Sequence, residues 1–148
     1  MGSTFSSLYY HLVFGTKDRQ SLIAADWEQR LYSYLGGCLH AIGGKALAVC
    51  GYGDHVHLLL SLKPIHGVAK VVGDLKGRSS KWVHQEIGIL PFGWQDGYGI
   101  FTVSASNLDA VSEYVRNQHE HHRARTFREE YIALLEKHGI EWTEEYLF

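Results

Sequence analysis

Two histidines one residue apart, His55 and His57, are the first side chains in this chain that suggest chemistry. They stand in the run Asp54-His55-Val56-His57-Leu58-Leu59-Leu60, which has the composition of a strand. On a strand, residues i and i+2 face the same side, so both imidazoles project together while Val56 points into the core. This spacing indicates a candidate site for a divalent metal, although two half-buried histidines on a sheet face are the ordinary alternative.

A tyrosine and a glutamine four residues apart, Tyr114 and Gln118, form the second candidate group, and His121-His122 follow them. Residues i and i+4 share one face of a helix. A phenol with its ordinary pKa of about 10 is a poor nucleophile until a metal or a base assists it. A core role for Tyr114 is the alternative, but Val111 and Val115 already define the apolar stripe of this helix, and a glutamine above a tyrosine is unusual in a core.

Clustered carboxylates, which two-metal enzymes need, are not evident in the sequence. The six aspartates are scattered along the chain, at Asp18, Asp26, Asp54, Asp74, Asp96 and Asp109. The two cysteines, Cys38 and Cys50, match neither a zinc-site nor a redox-pair spacing, so we expect buried thiols. Imidazole and amide groups are therefore the best candidate ligands, and they suit manganese or other first-row metals.

The basic residues are concentrated in two segments, 63–85 and 116–128, although the formal net charge is −2. The acidic residues are concentrated in residues 129–145. Their charges offset those of the basic residues, so the net charge does not reveal a basic surface elsewhere on the protein. Such a surface suits the phosphates of a nucleic acid, and an ordinary solvated surface is the alternative. The candidate DNA contacts are Lys17, Arg19, Lys76, Arg78, Lys81, Arg116 and Arg123.

The elements that must position these side chains follow from periodicity and turn signals. We expect strands over residues 8–15, 45–52, 55–62 and 98–104, and helices over 27–42, 67–86, 107 to about 122, and 129–138. Asp26 is a candidate helix N-cap, and Ser106 with Asp109 resembles a capping box. The order β-α-β-β-α-β predicts an α+β, ferredoxin-like fold, in which one antiparallel sheet carries two helices on one face, followed by a catalytic helix and a C-terminal helix.

The length and composition indicate one domain over residues 1–148, with a core from about 5 to 126 and an acidic helical tail from about 127 to 148. The hydrophobic fraction of 45% excludes the disordered and low-complexity classes. No apolar run is long enough to cross a membrane, and no signal peptide is recognisable. We therefore expect a cytoplasmic protein with no membrane partner.

Taken in order, these segments resemble the single-tyrosine transposases of insertion-sequence-200-like elements and their REP-associated relatives, which carry an HUH motif and a tyrosine helix. The resemblance covers most of the chain. It is carried by Tyr10-His11-Leu12-Val13-Phe14 with Thr16-Lys17, Gly53-Asp54-His55-Val56-His57-Leu58-Leu59, Leu75-Lys76-Gly77-Arg78-Ser79-Ser80, Tyr98-Gly99-Ile100-Phe101-Thr102-Val103-Ser104, and Tyr114-Val115-Arg116-Asn117-Gln118 with His121-His122.

The resemblance implies an enzyme that cleaves and rejoins single-stranded DNA, usually near a hairpin, through a covalent 5′-phosphotyrosine intermediate. It implies that Tyr114 is the nucleophile and that His55, His57 and Gln118 bind the metal, Mg²⁺ or Mn²⁺. Many members are homodimers in which the tyrosine helix of one subunit completes the site of the other, whereas REP-associated members act as monomers. A homodimer is expected here, with the choice between the two arrangements open.

Three other functions remain open at this stage. A ferredoxin-like hairpin DNA- or RNA-binding module would be indifferent to metal and would use aromatic side chains for stacking. Tyr10, Phe92 and Trp94 are candidates for that role, with core packing as the alternative. A phosphodiesterase that uses a metal-bound water would need the metal but would work without Tyr114. A degenerate relative would bind hairpins without transposing.

Overall fold

The structure is a computed structural model that describes residues 2–148. Its strands are β1 (Tyr9–Gly15), β2 (Lys45–Tyr52), β3 (His55–Ser61) and β4 (Gly99–Val103). Its helices are α1 (Glu28–Ala41), α2 (Val68–Trp82), α3 (Leu108–Arg116), α4 (Gln118–Ala124) and α5 (Phe127–Lys137). A single π-helical turn, Val83–Ile87, extends α2, where the sequence predicted α-helix to residue 86. No helix in the described part of the chain combines the length and apolar character needed to cross a bilayer.

The four strands form one antiparallel sheet in the order β2-β3-β1-β4. This order confirms the predicted α+β, ferredoxin-like arrangement, because the two strands that are central in space, β1 and β3, begin the two halves of the β-α-β-β-α-β chain path. Their register places Val13 opposite His57 and Gly15 opposite His55. The central strand β1 therefore lies directly beside the histidine pair.

Alternation along the strands separates two faces with different contents. On the first face, Leu12 and Phe14 of β1 and Val56 of β3 pack against α1 and α2, as predicted. Phe92 is 3% exposed in this cluster and Trp94 packs beside it, donating from Nε1 to Ser79 Oγ at 2.9 Å. Both aromatic side chains therefore pack in the core, which was the alternative to base stacking.

The second face carries His11 and Val13 of β1 and both histidines of β3, and it is covered by α3, α4 and α5. The helix α5 was expected to belong to an acidic tail, but it lies against the sheet through a cluster that includes Phe127, Tyr131, Leu134 and Leu135. Gly15 makes this approach possible, because a Cβ there would lie 2.7 Å from the Phe127 ring. The C-terminal helix is thus part of the layer that covers the histidines.

The predicted helix over residues 107–122 was wrong in one respect, because it is two helices interrupted at Asn117. Asn117 has φ −97° and ψ 26°, outside the α-helical region, although its amide still donates to the carbonyls of Glu113 and Tyr114. The chain therefore turns at this residue and α4 begins afresh at Gln118. This turn directs Gln118 towards the sheet, and the side chain of Gln118 is fully buried.

The two predicted N-terminal caps were also wrong. Asp26 is not the cap of α1, since Trp27 occupies the N-cap position and no side chain caps the helix. Asn107 precedes α3, again without a side-chain cap, because Ser106 lies within a short 3-10 turn. A complete capping box is present elsewhere, at the start of α5, where the Thr126 side chain accepts from the Glu129 amide.

Candidate active site

His55 and His57 lie side by side on the second face of the sheet, as their spacing predicted, and both are fully buried. Each ring is held in place by a hydrogen bond at Nδ1, on the side of the ring away from the centre of the site. His55 Nδ1 lies 2.8 Å from Asp54 Oδ1, and His57 Nδ1 lies 2.7 Å from His11 Nε2. Because Nδ1 faces the outer partner, Nε2 of each ring points towards the centre of the site. Orientation by a second group is a common feature of metal-binding histidines.

Glu130 of α5, which was not among the predicted site residues, occupies the centre of the site with its carboxylate. Its Oε1 accepts from His57 Nε2 at 3.0 Å and from His122 Nε2 at 3.1 Å, and it lies 3.4 Å from His55 Nε2. Its Oε2 accepts from the hydroxyl of Tyr114. One buried side chain therefore contacts all three histidines and the candidate nucleophile.

Glu130 was detectable in principle from the pattern of its own helix. The buried positions of α5 are Phe127, Glu130, Tyr131, Leu134 and Leu135. A glutamate in the apolar stripe of an amphipathic helix is costly to bury unless it is paired, so it indicates a buried partner. Assigning residues 127–148 to an acidic tail concealed this signal among the neighbouring glutamates.

Tyr114 lies near the end of α3 with its hydroxyl between a carboxylate and a guanidinium group. The hydroxyl donates to Glu130 and accepts from Arg125 Nη2 at 3.3 Å. Burial and the adjacent Glu130 charge raise the pKa of Tyr114 above its ordinary value, while Arg125 opposes the rise. The phenol is therefore held in its protonated form in the protein alone.

Gln118 approaches the histidines from α4. Its Oε1 lies 3.2 Å from His55 Nε2, and its amide Nε2 donates to the Tyr114 carbonyl at 3.4 Å. This second bond fixes which end of the amide faces the site, so the oxygen points inward. Tyr114 and Gln118 thus reach one site together, as their i, i+4 spacing predicted, although they belong to two helices.

A separate contact holds α4 in place at its outer side. His119 Nε2 pairs with the Glu28 carboxylate at 3.1 Å, and Tyr32 donates to the same carboxylate at 3.2 Å. Glu28 and Tyr32 belong to α1, so this contact ties α4 to the opposite layer of the fold. It restrains the helix that carries Gln118 and His122.

Burial and the neighbouring charged groups shift the pKa values of the acidic and histidine side chains in the site. Burial opposes the charge on Glu130, but hydrogen bonds from His122, His55 and His57 outweigh it and hold the Glu130 pKa well below its usual range. Burial also opposes the charge on His55, yet Asp54 and Glu130 outweigh it and raise the His55 pKa. The pKa of His57 is lowered to about 4, chiefly because the ring is fully buried.

These side chains fit a divalent metal ion by distance and by donor type. Ligand atoms of His55, His122 and Glu130 all lie within 4.8 Å of one another. Neighbouring ligands of one ion, each bound at about 2.1 Å, are themselves about 3 Å apart. The contacts from Glu130 Oε1 to the three histidines, and from Gln118 to His55, are 3.0 to 3.4 Å. The cluster is thus able to hold a metal.

Two grooves open from this centre. A cavity of about 420 Å³ is lined by Asp54 and His122 together with the basic side chains Arg123 and Arg125. A second cavity of about 620 Å³ includes Tyr114 and His11 in its lining and runs between β4, α3 and α5. The candidate metal cluster and the candidate nucleophile therefore each border a different groove.

The predicted DNA contacts are distributed over several surfaces. Arg123 lines the basic groove, and Arg116, which donates to the Leu47 carbonyl, is exposed near the site. Arg78 and Lys81 are exposed on α2, the layer opposite the histidines. Lys17 and Arg19 are exposed after β1, where Arg19 lies over the Phe148 ring.

Lys76 differs from the other predicted contacts because its ammonium group already has partners. It donates to the carbonyls of Gln95, Asp96 and Gly97 at 2.8, 3.3 and 2.6 Å, and its side chain is half-buried. A phosphate would have to replace these bonds. The structure therefore assigns Lys76 a role in fixing the loop before β4.

Comparisons with known proteins agree with this combination of fold and site. The family model described as "Transposase IS200 like" matches residues 4–118. The transposase for insertion sequence element IS200 of Salmonella typhimurium is 29% identical over 117 residues, covering 75% of this chain and 76% of the relative. The ISDra2 transposase TnpA of Deinococcus radiodurans is 28% identical over 119 residues, covering 76% and 85%.

Solved structures show the same fold. A crystal structure of a candidate transposase from Deinococcus radiodurans R1 has a TM-score of 0.62 and 26% identity, covering 80% of this chain and 96% of the other. A REP-associated tyrosine transposase bound to a REP hairpin has a TM-score of 0.58 at 12% identity, covering 82% and 74%. The α+β fold is therefore that of the tyrosine transposases. The chain belongs to the IS200-like transposase family.

Proposed function

We propose that this transposase cleaves and rejoins single-stranded DNA through a covalent bond between Tyr114 and a 5′-phosphate. The observation that carries the proposal is the shared carboxylate, because Glu130 contacts the Tyr114 hydroxyl with one oxygen and the histidine cluster with the other. A purely DNA-binding module has no need of a partly buried tyrosine bonded to a buried carboxylate beside three histidines. The family membership supports the same reaction class.

The proposed reaction exchanges one phosphodiester for another. Tyr114 Oη bonds to the phosphorus, the bond from phosphorus to the 3′ oxygen breaks, and that oxygen takes up a proton to become a free 3′-hydroxyl. Glu130 Oε2 accepts the hydrogen bond from the Tyr114 hydroxyl and fixes its position, and the proton that the phenol loses balances the one that the 3′ oxygen gains. Because the phosphotyrosine bond keeps the energy of the original ester, rejoining by a 3′-hydroxyl needs no nucleotide cofactor.

The metal in this proposal is Mg²⁺ or Mn²⁺, held by His55, His57 and Gln118, with Glu130 and His122 as further ligands. When bound, a divalent cation offsets the negative charge that develops on the phosphate. Asp54 and His11 hold the two sheet histidines in the orientation that ligation requires. A set with three imidazoles favours Mn²⁺ over Mg²⁺.

The proposed substrate is a single strand that carries a hairpin. The solved relative bound to a REP hairpin and the basic groove around Arg123 and Arg125 both support this choice. The site residues Tyr114, His55, His57 and Gln118 meet within one chain. We therefore propose that the tyrosine acts in the chain that carries it, and the expected homodimer stays a prediction.

The test is a covalent-trapping assay. The purified chain is mixed with a labelled library of single-stranded hairpins and Mn²⁺, and the products are separated on a denaturing gel. We expect a labelled adduct that Tyr114→Phe and His57→Ala both lose. Tyr146→Phe is the matched control, since Tyr146 is 81% exposed and lines neither of the grooves beside the site. Circular dichroism verifies that each variant is folded.

Each other outcome selects a different function. An adduct that survives Tyr114→Phe would assign the nucleophile to another residue. Cleavage without an adduct would favour a phosphodiesterase that uses a metal-bound water. Binding without cleavage under any condition would favour the hairpin-binding module.

A further inference from the structure

Apart from Tyr114 and His11, the residues that line the groove of about 620 Å³ have no part in the chemistry described above. Its lining includes Tyr114 and the buried His11, and its walls come from β4 on one side and from α3 and α5 on the other. Since β4 is an edge strand of the sheet, the groove opens at the margin of the molecule. A strand whose phosphate reaches Tyr114 from this side places a neighbouring nucleotide in or next to this groove.

An exposed aromatic ring in this groove is held rigidly. His138 stacks on the buried Phe101 with ring centroids 4.3 Å apart and planes 22° apart. Its Nδ1 donates to the Leu134 carbonyl at 2.8 Å, which fixes the rotation of the ring. A solvent-exposed ring held in one orientation loses little freedom when a base stacks on it.

Polar groups line the rim of the same groove. Thr102, Ser104 and Asn107 are exposed and carry hydroxyl and amide groups that suit the edge of a base, and Lys137 carries a positive charge that suits a phosphate. A stacking ring with hydrogen-bonding groups around it is the usual way in which proteins recognise unpaired bases.

We propose that this groove binds one unpaired nucleotide, which is one of the two nucleotides that the attacked phosphate joins. The groove thereby determines which base is accepted at that position of the strand. The base stacks on His138, and the polar rim, chiefly Asn107, contacts its edge. This inference rests on the proposed function, because it needs a strand that reaches Tyr114. It makes the groove a specificity site, separate from the residues that carry out the reaction.

The experiment extends the trapping assay by sequencing both products from the library, the strand joined to the protein and the strand released with a 3′-hydroxyl. Together they show the base preference on each side of the cleaved phosphate. The variants are His138→Ala, His138→Phe and Asn107→Ala, and His40→Ala is the control because His40 is an exposed histidine on α1.

We expect the wild type to prefer a particular base on one side of the cleavage. Loss of the stacking ring in His138→Ala should slow adduct formation about tenfold and flatten the preference on that side, and His138→Phe should restore the rate. Asn107→Ala should flatten the preference, and His40→Ala should change nothing. A merely structural role for His138 would not alter base preference.

The alternative results separate this inference from the proposed function. If the wild type forms the adduct and both His138→Ala and Asn107→Ala keep its rate and base preference, the groove is not a nucleotide site and the reaction stands. If the wild type forms no adduct on any library member, the proposed function is overturned and the groove inference falls with it.

Discussion

Replacing Glu130 with glutamine tests the centre of the site most directly. The substitution keeps the size of the side chain but removes the negative charge that His57, His122 and Tyr114 donate to. The substitution also leaves His55, whose pKa is raised by Asp54 and Glu130, facing a neutral amide. Two separate effects follow, one on the protein alone and one on its affinity for metal.

In the absence of metal, we expect Glu130→Gln to lower the free energy of unfolding by about 3 kcal/mol, because breaking a fully buried ion pair from one side typically costs this much or more. The difference should depend on pH. The folded-state pKa of Glu130 lies well below the ordinary value of 4.5, so its stabilisation is present above that value and declines as the pH falls below it. The wild type and the variant should therefore converge in acid.

In the presence of Mn²⁺, the two proteins should diverge further. A ligand at 100 times its Kd stabilises the folded state by about 2.7 kcal/mol. If loss of Glu130 weakens metal binding tenfold, the same concentration is 10 times the Kd of the variant, and the stabilisation falls to about 1.4 kcal/mol. The metal-dependent gain in stability should therefore be about half that of the wild type.

The assay is urea unfolding followed by tryptophan fluorescence, in EDTA and in Mn²⁺, with titration calorimetry for the metal affinity. Glu129→Gln is the matched control, since Glu129 is an exposed neighbour and glutamine also serves in a capping box. A variant that binds Mn²⁺ more tightly than the wild type would show that Glu130 competes with the metal. That result would refute its assignment as a ligand.

Three further predictions follow from the geometry. Asp54→Ala should weaken Mn²⁺ binding about 10- to 100-fold in titration calorimetry, because Asp54 orients His55, and an unchanged affinity would show that the ring needs no such partner. Lys76→Met should lower thermal stability by releasing the loop carbonyls while changing DNA affinity little, and a large loss of binding with unchanged stability would instead make Lys76 a phosphate contact. A mixture of Tyr114→Phe and His57→Ala proteins should form no adduct if the tyrosine acts within its own chain, whereas restored activity in the trapping assay would demonstrate exchange between subunits.

The histidine strand could be predicted because the face of a strand residue depends only on period-two alternation. His55, His57 and the core residue Val56 follow directly from their positions in sequence. The sheet order could be predicted from the sequence of elements, since few topologies satisfy β-α-β-β-α-β with short connections.

The partners of the histidines could not be predicted in the same way. Glu130 reaches His57 across 73 residues of chain and His11 reaches it across 46, and no local pattern connects them. The break at Asn117 was missed because the helical periodicity of the flanking residues continues through it. Lys76 resembled a surface charge because its carbonyl partners lie in an irregular loop that local propensities do not describe.

The placement of Glu130 on the last long helix has a consequence for how the protein is made. Residues 4–118, which match the family model, leave the ribosome before α5 does, and they already contain both sheet histidines, Tyr114 and Gln118. Until Phe127 and Glu130 emerge, the second face of the sheet lacks the part of its cover that α5 provides, and the Tyr114 hydroxyl lacks its carboxylate acceptor. If Tyr114 is the nucleophile as proposed, the ability to break DNA matures at the end of synthesis, because a chain that ends before α5 has the tyrosine without the carboxylate that completes its site.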